Sequence, residues 1–242
     1  MKIPVFCGLA FLLLAAAAAG EGEYAQSYLI LINGEPVGSE SVRETVGDDG
    51  TLTAVSAHEI IISDGNQASR MAYTARMVFS AERELVSYGY RYTSGSSGDS
   101  FEVTVNAGQL TRVLTRSGQT SEITVPFTPD MVIFDFNVYH QADYVAARYD
   151  ADKGGAQTFA NFIPVVGADL PLVVTAAGTA RVETAAGAVP VRHFRLELVG
   201  LWTGNLVVDG RNRLVRLSIP ARNLEVVRAD LVPGAPALPS VP

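Results

Sequence analysis

The feature that most constrains the fold is a series of short segments in which apolar and polar residues alternate, each ending at glycine, asparagine or aspartate. In the segment from 68 to 80, Met71, Tyr73 and Met77 fall on one face of an extended chain, while Thr74 and Arg76 fall on the other. This period of two residues is typical of a β-strand with one buried face. Because tight turns join neighbouring segments, the sequence predicts an antiparallel sheet.

The first of these units is "YLILINGEPVGSE", residues 28–40, in which an Asn-Gly pair separates two strand-like runs. Asn-Gly favours the two-residue turn of a β-hairpin, and we expect this hairpin to form an edge of the sheet. A further hairpin is predicted around "NAGQ" at 106–109. Val86 and Tyr88 are also two residues apart, so we expect both on the same face of their strand.

One segment departs from this pattern. In "TPDMVIFDFNVYHQADYVAARYD", residues 128–150, Thr128 is a suitable N-cap and Pro129 suits the first helical position. Apolar residues then recur at helical spacing from Met131 to Val145, and a Gly-Gly pair closes the segment. The predicted fold class is therefore mainly β: a curved antiparallel sheet or open (half) barrel with one amphipathic helix packed on it.

The N-terminal residues "MKIPVFCGLAFLLLAAAAAG" have the layout of a secretory signal peptide, with Lys2, an apolar stretch and small residues before the cleavage point. We predict a signal peptide over residues 1–19, a single β-rich domain over residues 20–231 and a proline-rich flexible tail over residues 232–242. Cleavage near Ala19 would place the mature chain in the periplasm, with no transmembrane segment. It would also remove Cys7, the only cysteine, which excludes disulfides and thiolate metal sites.

The formal net charge of −7 disfavours long-range attraction to nucleic acid, so we predict no nucleic-acid partner. The Gly-x-Ser-x-Gly nucleophile motif and the glycine-rich phosphate loops are absent. We therefore predict no catalytic residue, no metal site and no cofactor. One alternative is a hydrolase with an unusual site around His140, Asp143 or His193. The spacing of His140 and Asp143 suits a shared metal on a helix, although two polar residues facing solvent explain it more simply.

Aromatic and methionine side chains are concentrated on two neighbouring predicted strands. They would form a broad apolar surface with phenolic hydroxyls at its edges, which either packs as core or lines a concave pocket. In the pocket interpretation, two residues of the predicted helix act as a lid. The candidate ligand-binding residues are Met71, Tyr73, Met77, Phe79, Tyr88, Tyr90 and Tyr92 of the strands, with Phe134 and Val138 of the helix.

Three stretches carry a resemblance to a known family: the opening "YLILINGEPVGSE", "VPVRHFRLEL" at 189–198 and "NLVVDGRNRLVRLSIPARNLEVVR" at 205–228. Their layout resembles that of secreted bacterial β-rich proteins catalogued as domain of unknown function 3108. The chain departs from that pattern at "LVVDG", where the family has an aromatic-x-Asp element, because Trp202 lies earlier. The resemblance implies a curved antiparallel sheet, akin to the open barrel of periplasmic lipoprotein carriers, and it transfers no catalytic residue.

The sequence therefore favours a periplasmic, non-enzymatic binding or carrier protein with an apolar concavity for a lipid-like small molecule. A structural role is the first alternative. In that case the chain would contact an envelope protein through exposed strand edges or through the proline-rich tail. The hydrolase is the second alternative, and the oligomeric state is not predicted.

Overall fold

The computed structural model describes residues 23–64, 67–95, 97–184 and 187–232. The predicted signal peptide and, apart from Val232, the predicted tail lie outside these described residues. Within the described residues the chain is mainly strand, with one α-helix. No helix in this part of the chain is long and apolar enough to span a membrane.

The described residues form seventeen strands, the helix and two short 3₁₀ turns, Pro220–Arg222 and Ala229–Leu231. The first eight strands are β1 (Glu23–Ile32), β2 (Glu35–Val46), β3 (Leu52–Asp64), β4 (Gln67–Phe79), β5 (Leu85–Ser94), β6 (Ser97–Asn106), β7 (Gln109–Arg116) and β8 (Gln119–Pro126). The middle of the chain forms β9 (Val132–Ile133), α1 (Gln141–Arg148), β10 (Ala156–Phe159), β11 (Asn161–Ile163) and β12 (Ala168–Asp169). The remaining strands are β13 (Leu172–Thr184), β14 (Gly187–Leu198), β15 (Trp202–Asp209), β16 (Leu214–Ile219) and β17 (Leu224–Arg228).

Fourteen of the described strands form one curved antiparallel sheet, in the order β10-β13-β14-β15-β16-β17-β1-β2-β3-β4-β5-β6-β7-β8. Its two edges are β10 and β8, so the sheet is open rather than closed into a barrel. A small second sheet joins β12, β11 and β9 within the described residues. This architecture confirms the predicted fold class.

The first hairpin lies in the middle of the sheet, and the expectation that it forms an edge is wrong. β1 pairs with β2 on one side and with β17 on the other. Three successive residues of β1, Tyr28, Leu29 and Ile30, are buried, which is typical of a strand covered on both faces. The edge strand β8 instead begins with four exposed residues, and polar side chains there disfavour edge-to-edge association.

The predicted hairpin turns are confirmed. Asn33 and Gly34 have φ angles of +54° and +80° and join β1 to β2 as a two-residue loop. Ala107 and Gly108 repeat this arrangement between β6 and β7. Positive φ at both positions gives the turn a twist that matches the twist of the strands.

Val86 is an exception to the period-two pattern. Val78 pairs with Ser87, but the next residue of β4, Phe79, pairs with Leu85, so a β-bulge interrupts the register. The bulge adds one residue to β5 and reverses the faces on one side of it. Leu85 is therefore buried, whereas Val86 is exposed and does not share the face of Tyr88.

The helix is shorter than predicted: α1 begins after His140, not after Thr128. The residues before it form several turns and the two-residue strand β9, which pairs in parallel with β11. The backbone N–H of Val132 donates to the Ala160 carbonyl at 2.8 Å, and that of Phe134 donates to the Asn161 side chain at 2.8 Å. Because these contacts satisfy the backbone without a helix, tertiary structure overrides the helical spacing.

Residues 131–149, here called the inner segment, include β9 and α1 and pack against the large sheet. Val138, Ala142 and Val145 are fully buried and belong to the same apolar core as side chains of the sheet. The helix also buries polar residues, including Gln141 and Asp143. Buried polar groups need partners, and the contacts that provide them define the candidate functional region.

Candidate functional site

A buried polar cluster joins β2 and β3 to the inner segment. The Glu40 carboxylate accepts the backbone N–H groups of Tyr139 at 3.1 Å and His140 at 3.3 Å, and its Oε1 lies 2.5 Å from His140 Nδ1. His58 Nε2 lies 3.3 Å from the same oxygen and 3.0 Å from Ser56 Oγ. The side chains of Glu40, His58 and His140 are at most 1% exposed, so a single carboxylate organises this part of the interior.

The pKa values of the three ionisable groups in this cluster shift in different directions. Burial opposes the charge on Glu40, but the facing imidazoles of His58 and His140 lower its pKa. Burial lowers the pKa of His58 to about 4. For His140, the attraction of Glu40 outweighs burial and raises the pKa. The Glu40 carboxylate therefore favours the protonated form of His140, whereas His58 is neutral at neutral pH, so the buried charge of Glu40 has a partner.

The cluster lacks the geometry of a catalytic triad. A triad uses both ring nitrogens of its histidine, one toward the nucleophile and the other toward the acid. Here Ser56 Oγ and Glu40 Oε1 both approach Nε2 of His58, and its Nδ1 has no partner among the described atoms. His193 lies apart on β14, where it lines a separate cavity of about 170 Å³ with Tyr149.

Glu40, His58 and His140 also offer ligand atoms within 4.8 Å of one another, a donor set that zinc accepts. Metal-bound histidines nearly always donate their second ring nitrogen to an acceptor. In the described residues, the second nitrogens of His58 and His140 have no such partner. His140 and Asp143, whose spacing suits a shared metal, have different partners in the structure. Asp143 accepts the Leu214 N–H at 2.6 Å, whereas His140 faces Glu40. We therefore interpret the cluster as a structural anchor.

A second polar network connects α1 to β2 and to the turn before β16. Arg213 donates to both carboxylate oxygens of Glu44, at 2.8 and 2.6 Å, and to Asp143 at 3.3 Å. The Tyr144 hydroxyl donates to Glu44 at 2.7 Å, and the guanidinium carbon of Arg213 lies 4.0 Å from the ring centre of Tyr24. Burial raises the pKa of Asp143 to about 7; it also opposes ionisation of Glu44, whose pKa Arg213 nevertheless lowers.

Beside this network lies a cavity of about 210 Å³, here called the helix cavity. Its rim includes the exposed Ala147 of α1, the second polar network and several arginines. Its floor consists of buried apolar side chains: Leu52, Met77, Phe79, Leu85, Val132 and Ile133. An apolar floor with a few convergent polar groups is the usual composition of a small-molecule site.

Five of the seven strand residues predicted to line a pocket do line cavities, and these are two separate ones. Met77 and Phe79 contribute to the helix cavity. Tyr73, Tyr90 and Tyr92 instead line a second cavity of about 220 Å³, here called the tyrosine cavity. Met71 is half-buried beside this group, with its sulfur 3.4 Å from the hydroxyl of Tyr73. Ligand binding by these residues stays a prediction.

The remaining three predicted residues are core. Tyr88 and Val138 are fully buried, and Phe134 is 4% exposed and packs edge-on against Trp202. Phe134 and Val138 precede α1, so the expectation that they form a helical lid is wrong. They lie instead in the non-helical part of the inner segment, where they belong to the apolar core.

Sequence reasoning missed Glu40, Glu44 and Arg213. Charged residues in an alternating strand normally face solvent, so the residue type of the two glutamates of β2 does not indicate that they are buried. Their spacing does indicate it, because Glu40 and Glu44 share a strand face with the apolar Val42 at period two. Val42 is 1% exposed, which shows that this face of β2 is the buried one.

We expect the E40Q substitution to destabilise the fold by about 3 kcal/mol, because it removes the buried charge that faces His140 and one of the two oxygens that accept the N–H groups before α1. Urea unfolding at pH 7 measures this loss. The matched control is E59Q on β3, where the native Glu59 pairs with Arg70 in a largely exposed ion pair worth less than about 1 kcal/mol. Equal stability of the two variants would contradict the anchoring role.

Asp135 of the inner segment predicts a pH dependence of stability. Burial raises the pKa of this carboxyl to about 7, and it accepts bonds from the Phe136 N–H at 2.8 Å and the Tyr88 hydroxyl at 3.3 Å. Between pH 4 and 7 the folded chain therefore binds a proton that the unfolded chain has lost, so this group stabilises the fold at pH 5 and the stabilisation decreases as the pH rises.

The D135N variant mimics the protonated carboxyl, so its stability relative to the wild type should increase between pH 5 and pH 7. The limiting slope is about 1.4 kcal/mol per pH unit. Urea unfolding at pH 5, 6 and 7 measures the difference, and D169N, at an exposed position on β12, serves as the control. A constant difference between D135N and the wild type over this range would show that Asp135 ionises normally in the fold.

Comparisons with known proteins support the fold but name no activity. No curated protein matches the chain. The crystal structure of a β-barrel-like protein of domain of unknown function DUF1849 from Brucella abortus is similar, with a TM-score of 0.62 and 8% identity over 87% of this chain and 96% of that chain. At this identity the likeness shows the fold alone. The crystal structure of a DUF1089 family protein from Pseudomonas aeruginosa aligns with 92% of this chain and 98% of that chain at 10% identity. Its TM-score of 0.44 is too low to show a shared fold.

The resemblance to domain of unknown function 3108 is wrong. The stretches on which it rested are hairpin patterns, and hairpin patterns occur in many antiparallel sheets. A sequence model of a different family, described as "Domain of unknown function (DUF6134)", matches residues 28–232, which include nearly all of the described residues. The chain therefore belongs to the DUF6134 family.

Proposed function

We propose that this protein is a non-enzymatic binding protein that holds a small lipid-like molecule in the helix cavity. The observation that carries the proposal is the composition of that cavity. Six buried apolar side chains form its floor, while its rim is polar and partly exposed. Each methylene group that moves from water onto such a floor contributes about 0.8 kcal/mol.

The cavity volume limits the ligand. An apolar cavity of about 150 Å³ accepts one benzene molecule, which has six carbon atoms. By the same ratio, the 210 Å³ of the helix cavity have room for about eight carbon atoms. The cavity therefore suits one short alkyl chain or the end of a longer chain, and it is too small for both chains of a diacyl lipid.

The wall of the cavity is held in place before a ligand arrives. Arg213 connects Glu44 of β2 with Asp143 of α1, and the Tyr144 hydroxyl bonds to the same glutamate. A preformed site avoids part of the entropy cost of ordering side chains on binding. This supports a binding function over a role in which α1 moves away from the sheet.

The proposal places the protein in the bacterial periplasm. The reason is the N-terminal sequence, in which Lys2, an apolar stretch and small residues up to Ala19 have the layout of a cleaved signal peptide. A periplasmic binding protein would encounter single-chain amphiphiles released from the adjacent membranes. An apolar cavity of limited volume suits ligands of that kind.

We expect the A147W substitution to weaken the binding of 1-octanol, measured by isothermal titration calorimetry on the mature protein. Ala147 lines the rim of the helix cavity and is exposed, so an indole ring there would occlude the cavity without overpacking the core. The expected loss of affinity is at least tenfold, because the octyl chain loses contact with several apolar groups of the floor.

The matched control is A221W. Ala221 is exposed in a 3₁₀ turn and lines none of the cavities described above, so this variant should bind 1-octanol like the wild type. Two results would contradict the proposal: no binding of 1-octanol by the wild-type protein, or equal binding by A147W and A221W.

A further inference from the structure

Four arginines surround the rim of the helix cavity. They come from three separate parts of the chain: Arg83 follows β4, Arg148 ends α1, and Arg211 and Arg213 lie between β15 and β16. The fold therefore collects these guanidinium groups at one place. Elsewhere in the described residues, several arginines pair with a nearby acid, as Arg70 does with Glu59.

One of the four has its charge balanced within the protein. Arg213 bonds to Glu44 and Asp143, which are the two carboxylates among the residues that line the cavity. Both acids are nearly fully buried, with side chains 4% exposed, and they are therefore committed to this arginine. Against four guanidinium groups, these two carboxylates leave an excess of at least two positive charges at the rim.

The other three arginines have no acidic partner in the part of the chain that the structure describes. Arg83 donates to the backbone carbonyl of Gly50 at 3.1 Å, and Arg148 donates to the carbonyl of Arg83 at 3.0 Å. These bonds orient two of the guanidinium groups without cancelling their charge. Arg211 is exposed, and its side chain forms no ion pair within the described residues. The rim is thus positively charged on a chain whose formal net charge is −7.

A positive rim around an apolar floor favours a ligand that is anionic at one end and apolar at the other. The planar guanidinium group binds carboxylate and phosphate oxygens through paired hydrogen bonds. An alkyl chain attached to such a head group would extend from the rim across the six apolar residues of the floor. A neutral or cationic head group would leave the charge of the three arginines unmatched.

We propose that the helix cavity binds single-chain amphiphiles with an anionic head group, a carboxylate or a phosphate, and that Arg83, Arg148 and Arg211 bind the head. This inference rests on the proposed function, because it names the ligand class of the same cavity. The apolar floor holds about eight carbons of the chain, which sets the minimum length of a tight ligand.

Calorimetric titration of the mature protein with probes that share an octyl chain tests the inference. Octanoate and octyl phosphate carry the anionic head, and 1-octanol replaces it with a neutral one. Acetate and inorganic phosphate provide the head without the chain. We expect both octyl anions to bind at least tenfold more tightly than 1-octanol, and the two short anions to bind at least tenfold more weakly than the octyl anions.

The R211Q variant tests the role of the rim. It should weaken octanoate binding about fivefold or more and weaken 1-octanol binding by a smaller factor, because the apolar floor is unchanged and only the charged head loses an ionic contact. R195Q removes the same charge from an exposed position on β14 and should change neither affinity. Added salt should weaken octanoate binding selectively, because Arg83 and Arg211 are exposed and their charges are screened by salt.

The outcomes separate this inference from the proposed function. If octanoate and 1-octanol bind with equal affinity, the anionic head is not recognised; the inference fails while the proposed function stands. If acetate or inorganic phosphate binds as tightly as the octyl anions, the rim binds free anions and the inference also fails. If no octyl compound binds, both the inference and the proposed function fail.

Discussion

The contact between the Glu40 carboxylate and the start of α1 is the interaction on which the interior of this protein depends. Without that acceptor, two backbone N–H groups and Nδ1 of His140 would be buried unpaired, at a cost of several kcal/mol. Because the contact fixes the first residue before the helix, it also fixes the positions of Asp143 and Tyr144 in the first turn. Those two side chains then form the network with Glu44 that makes one wall of the helix cavity.

The large sheet could be predicted from the sequence because its signals are local. Alternation places Tyr73 and Met77 on the buried face, and the Asn33-Gly34 turn sets the register of β1 and β2. The inner segment could not be predicted in the same way. Its apolar residues recur at helical spacing, but Val132 and Ile133 form a strand because β11 offers them a backbone partner. The Phe134 N–H likewise donates to the side chain of Asn161, which lies 27 positions further along the chain and therefore outside any local pattern.

The candidate site was predictable only in its apolar part. Met77 and Phe79 were identified because apolar residues on a strand must be buried somewhere. Glu44 was missed because a charged residue on an alternating strand is normally solvated. Arg213 was missed because it lies in the turn before β16, 169 positions along the chain from Glu44. The pairing of β1 with β17 brings the two halves of the chain together. The network thus depends on the topology of the whole sheet, which a single sequence does not specify.

The most direct test of whether the helix cavity accepts an apolar chain is nuclear magnetic resonance of the methionine methyl groups. Met77 and Met131 line the cavity, whereas Met71 does not, so one ¹³C-methyl-labelled sample contains both the probes and an internal control. On addition of 1-octanol, we expect the signals of Met77 and Met131 to shift in a saturable way while that of Met71 stays in place. Uniform small shifts of all three signals, or a shift of Met71 alone, would contradict this expectation.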